Sequence, residues 1–136
     1  MADSNVYIGT LTVYNTTYQM KACQTHFMRH YNAQFPDADA VCDKIRVTLA
    51  INDITDMKMQ QWYIDREIQS GQISFNLPKE DDQTSTETRT IEFEDAHCYL
   101  IKDEYSTDGD TGSHTVTIEF VPEKITPEDN VTFQLP

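Results

Sequence analysis

Basic residues are scarce in this chain of 136 residues. Ten Lys and Arg residues stand against 23 Asp and Glu residues, which gives a formal net charge of −13 at pH 7. A chain with this charge repels a phosphate backbone, so nucleic acid is not expected as a partner. The same repulsion argues against docking on anionic lipid surfaces.

Long hydrophobic runs are also missing. No stretch approaches the roughly 18 apolar residues that a membrane-spanning helix needs. The first 14 residues lack the basic patch and apolar core of a secretory signal, which predicts synthesis in the cytoplasm. With 38% hydrophobic residues in strand-like patterns, residues 1–136 are expected to fold as a single domain.

Cysteines are few and lack metal-site spacing. Cys23, Cys42 and Cys98 form an odd set without a CxxC motif, which favours reduced thiols over a disulfide framework. Cys98 follows His97 directly, so on a strand the two side chains point to opposite faces and cannot act together as nucleophile and base. Cys98 is therefore predicted to be a core residue.

Catalytic and cofactor-binding motifs are absent as well, since the chain has no GxSxG, HExxH, GxGxxG or phosphate loop. His26 and His30, with Cys23 or with His97 and Cys98, could form a zinc site. Asp37 with Asp39, or Asp108 with Asp110, could bind calcium. The simpler interpretation is a strand end for the histidines and a hairpin turn for Asp108 to Gly112. We expect no catalytic residue, cofactor or metal.

Hydrophobic periodicity predicts strands on both sides of one helix. Residues of one parity are apolar in two runs: Ile45, Val47, Leu49 and Ile51, and then Ile73, Phe75 and Leu77. Between the runs, Gly and Pro are absent from Ile54 to Ile68, which predicts a helix from about residue 54 to residue 69, with Ser70-Gly71 as its C-terminal cap. Trp62 in this helix is expected to pack in the core rather than to stack on a ligand.

Other segments also alternate. Val6 to Tyr14 and the residues after Asn15-Thr16-Thr17 predict an N-terminal antiparallel hairpin. Thr88 to Tyr105 changes parity at Glu94-Asp95, with Ile91 and Phe93 on one parity and Ala96, Cys98 and Leu100 on the other. This change predicts a bulge or bend of the kind that barrel closure needs. A last short strand is predicted at Val131, Phe133 and Leu135.

These patterns predict a mainly β protein, a small antiparallel β-barrel with one flanking α-helix. From His26 to Asp43 the apolar residues follow no regular spacing, which predicts a loop. A connection of about 15 residues is long for a small domain. Loops of that length are often functional. This loop is the main candidate interaction segment.

Three runs resemble the haemolysin-coregulated protein family: Asp56 to Asp81, Ile91 to Tyr99, and His114 to Ile125. The chain looks most like the tube-forming subunit, TssD, of the type VI secretion system in its Bacteroidota branch. A helix with a tryptophan precedes a G-x-I-x-F pattern at Gly71, Ile73 and Phe75. An F-E-D-A-x-C pattern follows at Phe93 to Cys98.

The resemblance implies a barrel subunit that forms hexameric rings. Rings stack into a tube inside a contractile sheath and leave the cell without a signal peptide, so the implied partners are the chain itself, sheath, spike and baseplate proteins, and effector cargo. The extension before the third strand would contact neighbouring rings. In this sequence that candidate segment consists of Gln34, Phe35, Pro36, Asp37, Ala38, Asp39, Ala40 and Val41.

The same region departs from the family. Related chains carry a Gly-Arg-Pro and Ser-rich stretch there, whereas this chain has His26 to Ala40 with Phe35-Pro36 and two aspartates. One alternative is therefore a specialised paralogue that does not build the main tube. Another is a monomeric β-barrel that binds a ligand or partner with this loop, and a hydrolase or metalloenzyme is a third.

Overall fold

Residues 7–28, 31–32, 35–36, 41–78, 86–108 and 111–127 are described by a computed structural model of the chain. They form nine strands and one helix. In chain order these are β1 Gly9–Val13, β2 Thr16–Met28, β3 Tyr31–Asn32, β4 Phe35–Pro36, β5 Val41–Ala50, α1 Lys58–Ile64, β6 Ile68–Pro78, β7 Thr86–Asp108, β8 Thr111–Val121 and β9 Lys124–Pro127.

Six strands close into an antiparallel barrel. They are hydrogen-bonded in the order β6-β1-β2-β5-β8-β7, and β7 pairs with β6 to complete the ring. β9 lies along the first half of β7, and β3 and β4 form a separate two-stranded sheet. The predicted antiparallel barrel with one helix is confirmed.

Strand β7 closes the barrel because it changes partner halfway along its length. Its first half pairs with β6 and its second half with β8. Asp95, at the change, has a left-handed backbone with φ of 54°, and the flanking Phe93 and Ala96 are both buried. A residue in this conformation lets the strand switch the face that it presents to the core. The change of parity predicted at Glu94-Asp95 is therefore confirmed.

A second irregularity in β7 was not predicted. The register with β8 shifts between Cys98 and Leu100, so Tyr99 is an extra residue on β7. Leu100 is consequently 39% exposed, and Ile101 takes the inward position opposite Ile118. The prediction that Leu100 shares the buried parity of Cys98 is wrong, because a bulge resets the period of two.

The barrel interior is filled by the inward residues of each strand and by α1. The largest fully buried side chains include Trp62, Phe93 and Phe120. Phe120 contacts the other two rings, with ring centroids 5.1 Å from Trp62 and 4.8 Å from Phe93. Tilted pairs at these distances stabilise a core beyond the area that they bury.

Helix α1 is confirmed but is shorter than the predicted span of 54–69. Asp53 Oδ1 accepts hydrogen bonds from the backbone N–H and the hydroxyl of Thr55, and Asp56 Oδ1 accepts one from the N–H of Lys58. Side-chain turns of this kind compete with helix formation. At the other end Arg66 has a positive φ of 57°, and Ile68 already pairs in β6. Gly71 thus lies in a strand and is not a helix cap.

The N-terminal hairpin is confirmed, with its turn slightly earlier than predicted. β1 and β2 are joined by Tyr14 and Asn15, and both have φ of 57°. Two successive positive φ values are typical of the type I′ turn, whose twist matches that of the flanking strands. The predicted turn residues Thr16 and Thr17 already belong to β2.

The predicted loop from His26 to Asp43 is partly wrong. β2 continues to Met28, β5 begins at Val41, and these two residues are paired with each other. We call the paired residues 26–28 of β2 and 41–44 of β5, which continue past the last pairing of β5 with β8, the arm. The register of the two strands shifts between His26 and Phe27, and such an irregularity interrupts a period of two. Residues 29–30, 33–34 and 37–40 lie outside the described residues, as does the strand predicted at Val131 to Leu135.

Candidate functional site

Helix α1 lies across one end of the barrel as a lid. Trp62 is fully buried and its indole N–H donates to the backbone oxygen of Ala96, at 3.2 Å. Gln60 Nε2 donates to Asp103 Oδ1 at 2.8 Å. The prediction that Trp62 packs in the core is confirmed, while the neighbouring Tyr63 is exposed. The lid is therefore held by both apolar burial and directional hydrogen bonds.

Two tyrosines of the first hairpin fasten the segments on either side of the lid. The Tyr18 hydroxyl donates to Asp56 Oδ2 at 2.9 Å, and the Tyr14 hydroxyl donates to Glu67 Oε1. Burial, and next the bond to the carboxylate, raise the pKa of each tyrosine. The bond from Tyr14 and then that from Gln61 lower the pKa of Glu67. The attachment of Tyr14 to Glu67 is thus strongest when Glu67 is charged and the phenol of Tyr14 is neutral.

A polar cluster lies beside the lid where β7 and β8 extend past the barrel. His114 is buried, and its Nε2 lies 2.9 Å from the same Asp103 Oδ1 that Gln60 contacts. The ring of Tyr105 stacks on His114 with centroids 4.3 Å apart. Sequence motifs did not identify this cluster. The one available signal was that His114 shares the parity of Val116 and Ile118.

A cleft of about 250 Å³ opens next to this cluster. Ile51, Ile54 and Tyr105 give it apolar walls, and Ser113 and His114 add polar groups. Within the described chain, His114 Nδ1 and Gln60 Oε1 are buried without a hydrogen-bond partner. The cleft is small and open, and suits one side chain of a partner better than a whole cofactor.

The outer wall, by which we mean the outward face of β2, β5, β8 and the second half of β7, carries aligned rows of side chains. One row consists of Leu100, Glu119, Arg46 and Gln24, and the next of Lys102, Thr117, Thr48 and Ala22. Glu119 is only 6% exposed although it points away from the core. Its carboxylate accepts from Arg46 Nη1 at 3.4 Å and lies 4.0 Å from Lys44 Nζ.

Tyr99 covers the same buried carboxylate. Its partial burial, and next its hydrogen bond to Glu119, raise the pKa of the phenol to about 12. Because a buried carboxylate is costly unless it is paired, Arg46, Lys44 and Tyr99 offset the cost of burying Glu119 within the wall. The outer wall is thus an ordered polar surface rather than a random mixture of exposed side chains.

The sequence profile of the family described as Hemolysin coregulated protein Hcp (TssD) matches residues 7–134. The chain belongs to this family. Hcp proteins are tube subunits of the type VI secretion system and have a structural role. The resemblance seen in the sequence is confirmed.

Two solved Hcp structures share the fold. Hcp1 from Flavobacterium johnsoniae is 17% identical, with a TM-score of 0.65, and the alignment covers 89% of this chain and 94% of that one. A second structure, described as an Hcp protein, is 10% identical, also with a TM-score of 0.65, over 88% of this chain and 91% of its own. No curated protein matches the chain significantly.

The residues considered for metal binding do not converge in the described part of this Hcp-family chain. There, no three His, Cys, Asp or Glu side chains lie close enough to hold a metal ion. His26 Nδ1 instead lies 3.0 Å from Asp43 Oδ2 on the arm. His30, Asp37, Asp39 and Asp110 lie outside the described residues, and the side chain of Asp108 does too.

Cys98 is a core residue, as predicted. Its burial raises the pKa of the thiol to about 11, and its Sγ–H donates to the Leu100 oxygen at 3.5 Å. His97 is exposed on the opposite side of the strand. A neutral, buried thiol is a poor nucleophile.

In chain order, the candidate contact segment Gln34 to Val41 follows β3 and ends at the first residue of β5. Phe35 and Pro36 form β4, which pairs with β3, and Val41 begins β5. Gln34 and residues 37–40 lie outside the described residues. Across the described ranges, no helix has the length and apolar character to cross a membrane.

Proposed function

We propose that this chain closes into hexameric rings that stack into a type VI secretion tube, and that sheath contraction expels the tube from the cell. The observation that carries the proposal is the match to the Hcp family over residues 7–134, nearly the whole chain. The subunit would be made in the cytoplasm and leave through the secretion apparatus. Its partners would be further copies of itself, the sheath, spike and baseplate proteins, and effector cargo.

The rigidity of the subunit supports this role. The barrel closes through β7, and the lid is fixed by Trp62 inside and by Tyr14 and Tyr18 at its flanks. A preorganised subunit loses little conformational freedom when it binds its neighbours. Because identical subunits bind one another at every contact of a tube, a small loss of conformational entropy at each contact favours assembly.

Exposed apolar side chains also support assembly. Eight large ones are exposed in the described chain: Ile54, Met57, Tyr63, Ile64, Ile68, Tyr99, Leu100 and Tyr105. They lie around the lid, at the bulge of β7 and beside the cleft, rather than scattered over every strand. Exposed apolar groups of this size suit surfaces that become buried between proteins.

For contacts between rings, we assign the segment Gln34 to Val41. The arm continues past the last pairing of β5 with β8, and its paired residues Met28 and Val41 are joined in the chain by the stretch that includes this segment. A segment in that position can contact the next ring while the barrel walls remain available for neighbours in the same ring.

A second candidate is a monomeric binding module or a specialised paralogue outside the main tube. A groove of about 650 Å³ crosses β6, β1 and β2, and Tyr7, Thr10, Gln19, Ser74 and Asn76 line it. An aromatic ring among neutral hydroxyl and amide groups could bind a polar ligand. A ligand that raises the melting temperature of a monomer would favour this candidate.

Secretion tests the tube proposal. An epitope-tagged chain is expressed in a bacterium with a compatible type VI apparatus and in the same strain lacking the sheath gene. We expect the tagged protein in the medium only when the sheath is present, with a cytoplasmic enzyme absent from the medium in both strains. Equal release from both strains would contradict export by contraction.

A further inference from the structure

Two whole strands of this acidic barrel contain no charged residue. They are β1 and β6, and β2 has none before Lys21. The outward side chains of these strands, together with two from β7, form a surface that we call the neutral face. It consists of Thr10, Thr12, Thr17, Gln19, Gln72, Ser74, Asn76, Thr88 and Thr90. This face therefore differs from the outer wall, which carries Lys44, Arg46 and Glu119.

The groove of about 650 Å³ crosses the neutral face, and its volume is in the usual range of small-molecule sites. The described residues that line it are all uncharged: Tyr7, Gly9, Thr10, Gln19, Ser74, Asn76 and Thr88. A Cβ at Gly9 would lie 2.0 Å from the Ser74 oxygen, so β1 approaches β6 there without an intervening side chain. The groove is thus formed by one subunit from three paired strands and Thr88 of β7.

Polar side chains in the groove have hydrogen-bonding capacity that the protein does not use. Within the described chain, the side chains of Thr10, Gln19 and Asn76 make no hydrogen bond. Hydroxyl and amide groups can each both donate and accept. Asparagine is depleted from strands, so the stability of the sheet does not account for the exposed Asn76 in the middle of β6. These groups are available to a ligand.

The chemistry of the lining favours one class of ligand. A charged ligand would find no counter-charge among the described lining residues, and an apolar ligand would find little apolar surface apart from the Tyr7 ring. The hydroxyls of a saccharide both donate and accept, as the groups of the groove do, and the C–H groups of a sugar ring can pack on an aromatic face. Neutral saccharides therefore fit this lining best.

We propose that the groove across β6, β1 and β2 is a binding site for a neutral oligosaccharide. The proposal names the ligand class for the groove of the second candidate above. It rests on the groove alone, which a single subunit forms, so it applies to a tube subunit as well as to a monomer.

Binding of defined oligosaccharides to the full chain tests the site. The neutral probes are cellotetraose, maltotetraose and tetra-N-acetylchitotetraose, and the charged comparison is tetragalacturonate. Isothermal titration calorimetry measures affinity, and saturation-transfer difference NMR, which does not require a small protein, identifies the sugar protons in contact. We expect at least one neutral probe to bind with a Kd of about 1 mM or lower, the affinity that a few net hydrogen bonds provide, and tetragalacturonate not to bind.

Substitutions in the groove locate the site. Gln19→Ala and Asn76→Ala should each raise the Kd of the bound probe by about fivefold, since each removes one net hydrogen bond. Tyr7→Ala should weaken binding at least as much. Gln24→Ala is the matched control, because Gln24 is also an exposed glutamine of β2 but lies in a row of the outer wall. It should leave the Kd unchanged. Thermal unfolding verifies that each variant remains folded.

The outcomes separate this site from the tube function. Absence of binding for all the neutral probes, equal binding of tetragalacturonate, or equal effects of Gln19→Ala and Gln24→Ala would each overturn the site. Sedimentation velocity of the same samples reports whether rings form. If rings form and no neutral probe binds, the saccharide site is wrong and the tube function stands. If a neutral probe binds to a chain that remains a monomer at every concentration, the tube function fails and the site stands.

Discussion

The indole N–H of Trp62 donates to the backbone oxygen of Ala96, one residue beyond the left-handed Asp95. This bond joins the lid to the point where β7 leaves β6 and begins to pair with β8. Trp62, which is buried in the barrel core, is therefore also hydrogen-bonded to β7, the strand whose pairing closes the barrel. Lid and closure should be lost together when the bond is removed.

Trp62→Phe should destabilise the protein by about 2–3 kcal/mol. The buried Ala96 oxygen loses its donor, and the smaller ring leaves space beside Phe120. Urea unfolding followed by circular dichroism measures the change. Tyr63→Phe, at the exposed neighbouring position, should change the free energy of unfolding by less than about 0.5 kcal/mol. Equal effects of the two substitutions would show that the lid does not depend on Trp62.

Gly71→Ala should destabilise the barrel by roughly 1–3 kcal/mol or more. A Cβ at Gly71 of β6 would lie 2.2 Å from the Thr12 oxygen of β1 and 2.9 Å from Phe93 Cζ of β7, so β1 and the Phe93 ring would have to move away from β6. Gly112→Ala is the control, since its Cβ would meet nothing closer than the Ser106 oxygen at 3.9 Å. Comparison of the two melting temperatures gives the result, and a stable Gly71→Ala protein would argue against the tight packing of these strands.

Tyr14→Phe should raise the pKa of Glu67, because the hydrogen bond from Tyr14 is the largest cause of its depression. A carboxyl group with a lowered pKa in the folded state stabilises the protein above its unfolded pKa, and this contribution is lost as pH falls through the folded pKa. The variant should therefore lose less stability on acidification than the unmodified chain. Carbon-detected NMR titration of Glu67, with melting curves between pH 7 and pH 3, tests both statements. An unchanged Glu67 pKa would contradict them.

Cys98 should resist thiol reagents in the folded protein. Burial raises its pKa to about 11, so very little thiolate is present at pH 8. Mass spectrometry after brief treatment with iodoacetamide should show Cys98 unmodified under native conditions and fully modified in denaturant. Rapid native labelling of Cys98 would mean that β7 opens around its bulge.

The barrel could be predicted from the sequence wherever a strand has one buried face. The parity of Ile45, Val47 and Leu49, and the parity change at Asp95, each indicate which side meets the core. Leu100 was mispredicted because one extra residue, Tyr99, resets that parity, and no side-chain pattern marks the extra residue in advance. Hydrophobic periodicity therefore predicts which face of a strand is buried only over stretches that contain no bulge.

Other features depend on contacts that are distant in sequence. The lid is short because Asp53 and Asp56 form local turns and because Ile68 finds a partner in His97 of β7. Asp103 and His114 meet only once β7 and β8 pair. The local sequence pattern predicts none of these contacts, since each one forms only when strands that are distant in sequence pair.

Native mass spectrometry of the purified chain, with negative-stain imaging of the same sample, tests the central claim most directly. Six copies of a 15.7-kDa chain give a particle of about 94 kDa. The tube account predicts this mass, together with closed six-fold rings that stack at high concentration. A particle of 15.7 kDa at every concentration, with no rings in the images, would contradict it.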